Sequence, residues 1–415
     1  QTDGVLYGQS IISFERAIEE GVEKIIVVAR PGSCKAIAKR IGDACKEFGI
    51  ALFDIRGKDL LAEERVVYDF KDIKGYRYAE FLEQIEKAET VSFDLFDTLV
   101  MRRVLLPDDV VELVSARMSE RGMALGDFTN QRVAVEKRIS QSFAPKLLQI
   151  YEEVLRECGR GGDDVSAVSS PLELAALEYE TDRELLIPRR DMIMLFDRAK
   201  VLGKRVYITT DTYYNQSQIE GILHDNGIAG YDGLFISCEY GKSKQQGLFE
   251  ELKKTVGVEK LLHIGDDSVS DIRSAEACGI DCAQIYSGAE LFDLLGGLGM
   301  LAHSRSLSDR IKAGMVVARL FNSPFQFEDE ERKLIIRDAV DVGYLFCAPM
   351  INDFVHWFGT QTRELNCGNV WFCARDGFLV KKIYQRWFPD SFSEYFLTSR
   401  TAAIRSGVET REDVA

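Results

Sequence analysis

Four separated segments carry the residue types that transfer a phosphoryl group. Asp94 ends the apolar run Val91-Ser92-Phe93, and Phe96, Asp97 and Thr98 follow in a turn. Val206-Tyr207-Ile208-Thr209-Thr210-Asp211 is a second run, ending in two hydroxyls and a carboxylate. Gly241-Lys242-Ser243-Lys244 is a loop opening a helix. Ile264-Gly265-Asp266-Asp267-Ser268-Val269-Ser270-Asp271 passes from a strand into an acidic turn. Together they offer an anionic nucleophile, hydroxyl donors, an ammonium for phosphate oxygens and carboxylate oxygens for a hard metal ion.

Positioning these groups requires strands whose ends share one edge. The pattern predicts strands at Arg205–Thr210, Gly233–Ser237, Leu261–Ile264 and Asp281–Tyr286. Helices at Ser217–Asn226, Gln245–Val256 and Asp271–Cys278 separate them. Such alternation implies a parallel sheet, whose strand C-termini gather at one edge. Between the first strand and the rest the pattern is helical: Pro107–Arg121, Phe128–Ser142, Leu147–Cys158, Pro171–Leu186 and Arg190–Leu202. Ser170 caps the Pro171 helix, with Glu173 three residues on. The expected fold is α/β: a Rossmann-like core (89–100 and 201–292) with an all-helical insertion (101–200). A small Rossmann-like module (1–88) and a helical, then α/β, module (293–415) flank it.

The order and spacing of the four segments resemble the four motifs of the haloacid dehalogenase superfamily, over roughly residues 90–290. The helical insertion stands where that superfamily's subfamily-one cap sits. The resemblance implies Asp94 as nucleophile, Thr210 (or its neighbour Thr209) and Thr98 on phosphate, and Lys244 on the phosphoryl group. It also implies Mg2+ held by Asp94, the Phe96 carbonyl and Asp266, with Asp267 and Asp271 completing the acidic turn. Asp211 is a further phosphate-side candidate, or a helix cap. The wider chain resembles predicted hydrolases of polysaccharide and cell-surface glycan biosynthesis. The matching residues are Phe93–Leu99 followed by Arg102, Thr209–Tyr213, Asp341–Tyr344, Ala374–Gly377 and Thr398–Arg400.

Motif one departs from the phosphatase pattern. Those enzymes carry an acid/base Asp two residues after the nucleophile, and here that residue is Phe96. Positions i and i+2 share a face of a strand whereas i+3 does not. Asp97 therefore serves either as a turn cap or, if the chain bends sharply after Leu95, as a proton carrier. The superfamily's dehalogenases also lack the second Asp, but they dispense with metal, against which the acidic turn argues. The leading expectation is a Mg2+-dependent phosphohydrolase or phosphotransferase, acting through an aspartyl-phosphate on a small phosphorylated metabolite, a phosphosugar first. The alternative is a catalytically weak or inactive binding module of a larger glycan-assembly protein.

Composition bounds the rest. A chain of 415 residues has room for about three domains. A net charge of −15 argues against nucleic acid as partner. The pair Arg189-Arg190 reads as a solvated helix end, while Arg102 or Arg103 offers a phosphate ligand. No apolar run is long enough to span a bilayer. Cys34, Cys238, Cys278, Cys347 and Cys373 read as reduced core thiols, which predicts a cytoplasmic setting. His263, Trp357, Trp371 and Trp387 read as core. Gly8 lacks the rest of a GxGxxG loop, so the first module reads as structural. Arg30 to Arg56 and Arg375 to Arg400 are spaced 26 and 25 residues apart in similar β-α-β surroundings. Ordinary repetition of such units explains that echo, and a shared anion site is the alternative. The chain opens on Gln1, which fits a piece of something longer.

Overall fold

The chain divides into two compact units, Gln1–Asp69 and Phe70–Ala415. The computed structural model describes residues 4–6, 9–29, 31–55, 57, 59–61, 70, 73–123, 125–161, 170–257, 259–296, 306–329, 332, 334, 336 and 338–406. In the first unit a hairpin, β1 (Gly4–Leu6) and β2 (Gln9–Ile11), precedes α1 (Phe14–Glu19). β3 (Lys24–Val27) and β4 (Ala51–Asp54) then pair in parallel across α2 (Pro31–Glu47). Helix α2 begins at Pro31, where the missing N–H of a proline costs nothing in a first turn. Gly8, Arg30 and Arg56 lie outside the described residues.

The second unit is built on five parallel strands in the order β11-β10-β5-β8-β9. β5 (Thr90–Phe93) is central and buried at every residue. A strand covered on both faces is expected to be apolar throughout, so the polar Ser92 is conspicuous. The chain proceeds from β5 to β8 (Arg205–Thr210) and β9 (Gly233–Ile236) on one side. It returns to β10 (Leu261–Gly265) and β11 (Asp281–Gln284) on the other. Strand order thus reverses between β5 and β10. Loops leaving that point diverge and open a crevice beyond the strand C-termini. Asp94 and Asp266 are the residues that follow these two strands.

The insertion is not helical throughout. It opens with β6 (Val100–Arg102) and closes with β7 (Leu186–Pro188), which pair antiparallel. Three-residue strands are too short to show a period of two, so the sequence hides them. Between them lie α4 (Asp108–Glu120), α5 (Phe128–Ser140), α6 (Leu147–Gly161) and α7 (Pro171–Leu185). Ser170 caps α7 through Glu173 N, as its spacing suggests. Buried Arg132 of α5 pairs with buried Glu178 of α7 through two hydrogen bonds of 2.9 and 2.7 Å. Helix α8 (Arg190–Val201) belongs with the sheet: it packs on β8 and on α3 (Tyr78–Lys87). The sequence pattern places α3 with the N-terminal module. Its Phe81 and Ile85 are instead buried in the sheet unit's core.

Three other sequence readings change. Trp357, Trp371 and Trp387 are 58%, 59% and 49% exposed and are not core residues. Cys347 and Cys373 are exposed, and Cys278 is half-buried. Among the described residues β12 (Val370–Cys373) pairs only with β13 (Ser393–Phe396), and its residues alternate buried and exposed, so Trp371 and Cys373 face outward. Arg189 is no solvated helix end. It is fully buried and donates to three carbonyls: Asp97 O, Tyr286 O at 2.9 Å and Asn322 O at 2.9 Å. One guanidinium therefore ties the turn after β5, the segment after β11 and the C-terminal region together. Arg189→Met leaves those carbonyls without their donor. At about 1–3 kcal/mol per orphaned group, the urea midpoint should fall by the equivalent of at least ~3 kcal/mol.

Candidate active site

Asp94 continues β5 and is 5% exposed, its N–H donating to Ile264 O at 2.9 Å. The chain then reverses sharply. Leu99 N and Val100 N both donate to Leu95 O, at 2.8 and 2.9 Å, and Asp97 sits in the left-handed region at φ 57°. Asp is among the few side chains that tolerate that conformation. Phe96 packs beneath the Arg102 guanidinium at 4.7 Å and against Tyr214 at 6.3 Å. Burial pushes the Asp97 carboxyl up against the pull of Arg102 and Arg189, and its charge opposes that of Asp266. Arg102 is no phosphate ligand here: it grips Asp182 of α7 with two bonds of 2.7 Å, and Tyr214 donates to the same carboxylate at 2.9 Å. Arg103 donates to Glu184 O at 2.5 Å.

Lys244 is the centre of the site. Its ammonium is buried and donates to both Asp94 Oδ1 and Asp271 Oδ1. Its loop is held because Lys244 N donates to Asp211 Oδ1 at 2.9 Å, so Asp211 anchors the lysine. Asp271 also accepts from Asp267 N at 3.0 Å and lies 3.1 Å from His263 Nε2. Gly265 makes room for it: a Cβ there would lie 2.3 Å from Asp271 Cγ. Asp267 caps the following turn through Val269 N and Ser270 N, at 2.8 and 2.6 Å. Its exposed carboxylate is not among the clustered metal-ligand candidates. Thr98, fully buried, donates to Asp266 Oδ1 at 3.2 Å. Thr210 Oγ1 is buried without a partner, whereas Thr209 Oγ1 lies 2.8 Å from Ser92 Oγ on the other face of the strand.

One oxygen each from Asp94, Asp266 and Asp271 lies within 4.8 Å of the others. Lys244 pairs with Asp94 and Asp271, and when all three clustered carboxylates are ionised their charge exceeds that of the ammonium by two. That imbalance and the all-oxygen donor set fit a divalent hard cation. Protonation reflects the same strain. Burial pushes Asp94 up to about 7, partly opposed by Lys244 and reinforced by Asp271. Burial, Asp97 and Asp94 drive Asp266 well up. Asp271 goes the other way, because Lys244 and His263 outweigh its burial. Lys244 is raised by Asp271 and Asp94 despite burial. A cavity of about 550 Å³ opens elsewhere, lined by Arg103, Arg190, Arg319 and Tyr344, and Asp94 does not line it.

The chain therefore brings together Asp94, Lys244, Asp266 and Asp271, with Thr98 and Asp211 as their supports. Arg189, Asp182, Ser92 and His263 were not read as site residues, and Thr209, offered as an alternative to Thr210, is bound instead to Ser92. Only the polar interruptions in otherwise apolar β5 and β10 hinted at Ser92 and His263.

No family model matches the chain, and no curated protein matches it. Solved structures do resemble it. The HAD-hydrolase YfnB from Bacillus subtilis, bound to magnesium, is 16% identical, with a TM-score of 0.37, over 51% of this chain and 99% of that one. A predicted phosphoglycolate phosphatase from Haemophilus somnus is 15% identical, TM-score 0.33, over 48% and 85%. A 2-haloacid dehalogenase from Pseudomonas syringae is 16% identical, TM-score 0.32, over 52% and 100%. At this distance none of them assigns an activity, so the functional reading rests on the chain's own residues.

A raised carboxyl pKa has a signed consequence for stability. The folded chain holds the Asp94 proton to about pH 7, the unfolded chain only to the ordinary carboxylate range. Asp94's contribution to stability is thus fully present below that range and is lost as pH rises through about 7. In metal-free protein, wild type should lose more urea resistance than Asp94→Asn between pH 5 and pH 8. Mg2+ should reduce that difference.

Proposed function

We propose that this chain is a Mg2+-dependent hydrolase of small phosphate esters that works through a phosphoryl group on Asp94. The observation that carries the reading is the meeting of Asp94, Asp266 and Asp271, two of them paired with the Lys244 ammonium, at the switch point of a parallel sheet. Mg2+, when bound, would offset the charge of the carboxylates and of the incoming phosphate. Asp94 Oδ attacks phosphorus and displaces the alcohol oxygen. Lys244 and the free hydroxyl of Thr210 contact the non-bridging oxygens. Water then cleaves the acyl phosphate and regenerates Asp94.

Proton transfer falls to Asp97 on this reading. Burial raises its carboxyl against the pull of Arg102 and Arg189, which suits a general acid, and its repulsion of Asp266 supports a position near the acidic cluster. Asp94 and Lys244 are 5% and 4% exposed, so substrate entry requires the insertion to lift. Its bonds to the core that must yield include Leu147 N to Tyr213 O at 2.9 Å and Gln246 Nε2 to Ser140 O at 3.2 Å. A phosphosugar of glycan assembly, handled in the cytoplasm by one module of a longer protein, is the substrate and setting proposed from the sequence resemblance.

Phe96 supports a second reading, a binding module that has lost turnover. Its ring fills the +2 position and belongs to the Arg102–Asp182–Tyr214 cluster. Phosphate release from a panel of sugar phosphates and an aryl phosphate, with and without Mg2+, separates the two. Mg2+-dependent release that vanishes in Asp94→Asn supports the hydrolase; release persisting in that variant refutes the mechanism, and silence across the panel favours the module. Asp97→Gly is the sharper probe, because glycine accepts φ 57° without strain. Turnover should fall about 10²- to 10⁴-fold with stability kept. Undiminished turnover would make Asp97 a turn residue only.

A further inference from the structure

We propose that His263 is a positioning residue: clamped through Ser92 to Thr209, it presents Nε2–H to Asp271 and fixes the carboxylate oxygen shared with Lys244. The functional consequence rests on the hydrolase reading above; the geometry does not. Three neighbouring strands supply the chain of contacts. Thr209 Oγ1 on β8 lies 2.8 Å from Ser92 Oγ on β5. Ser92 Oγ lies 3.0 Å from His263 Nδ1 on β10. His263 Nε2 lies 3.1 Å from Asp271 Oδ1. Ser92, Thr209 and His263 are fully buried, and Asp271 nearly so, so each must find its partners within the protein.

The direction of every hydrogen in this chain follows from its end. Asp271 takes the Lys244 ammonium on Oδ1 and the Asp267 amide on Oδ2, so it faces His263 as an acceptor. His263 must then carry its proton on Nε2. In that tautomer Nδ1 is left as the acceptor facing Ser92 Oγ. Ser92 therefore donates to Nδ1, and Thr209 donates to Ser92. Phe249 fixes the ring plane, edge to face at 4.7 Å and 75°. Asp271 receives three donors in all: Lys244 Nζ and His263 Nε2 on Oδ1, and Asp267 N on Oδ2. Lys244 also serves Asp94, and the Asp267 amide sits in the acidic turn. His263 is the donor anchored in the sheet interior, so it sets the carboxylate's angle whatever occupies the crevice.

The test is a long-range proton–nitrogen spectrum of the imidazoles with a parallel Mg2+ titration of the folded variants. The chain has four histidines, and the signal lost in His263→Gln identifies the one in question. The proton should reside on Nε2 in wild type; a proton on Nδ1 alone overturns the proposal. His263→Leu should weaken Mg2+ binding about 10- to 100-fold, the usual effect of removing a ligand's orienting partner. His263→Gln, whose amide can still donate toward Asp271, should recover part of that loss. Ser92→Ala should leave the proton on Nε2, because Asp271 still faces that nitrogen. If His263→Leu folds and binds Mg2+ as wild type does, the proposal fails. If wild type itself binds no Mg2+, the hydrolase reading fails, and the spectrum alone decides the role of His263.

Discussion

One buried ammonium organises the site. Lys244 reaches Asp94 beyond β5 and Asp271 beyond β10, and all three side chains are nearly inaccessible to water. Moving an ammonium from water to the protein interior costs several kcal/mol unless anions meet it there. The pairing is therefore a demand on the whole fold. The sheet must set β5 beside β10, the Lys244 loop must be held, and Gly265 must lack a side chain. Asp211 holds the loop through the Lys244 amide, and the Thr209–Ser92–His263 chain steadies Asp271 from behind. Arg189 performs the equivalent task for the turn that carries Asp97.

The same pairing explains the chemistry available. Asp94, Asp266 and Asp271 exceed the charge of Lys244, and the site answers by holding protons on Asp94 and Asp266. A divalent cation among these carboxylates would relieve that pressure. Phe96 joins Arg102, Asp182 and Tyr214 in a cluster tying the insertion to the core. Phe96 thus packs between two layers of the fold, and Asp97 is the carboxyl beside it in the turn.

Much of this was legible in the residues. Asp94, Thr210, Lys244 and Asp266 stand at strand ends and a loop, where a parallel sheet must bring them together, and the five strands formed where the apolar runs placed them. Side-chain partnership was not legible. Nothing in Pro188-Arg189-Arg190 tells that Arg189 turns inward to three carbonyls, because those carbonyls come from segments far apart in the chain. Asp267 and Asp271 look alike in sequence, yet one caps a turn and the other meets Lys244. The outward-facing tryptophans defeated the apolar pattern for a different reason. Hydrophobic periodicity marks a face, and it cannot say whether anything covers that face.

The central claim is that Asp94 accepts the phosphoryl group. It is tested most directly by quenching turnover of an aryl phosphate with Mg2+ and reducing the protein with borohydride, which converts an aspartyl phosphate to homoserine. Homoserine should appear at position 94 and at no other aspartate. Phosphate release without that conversion, or conversion at a different aspartate, would contradict it.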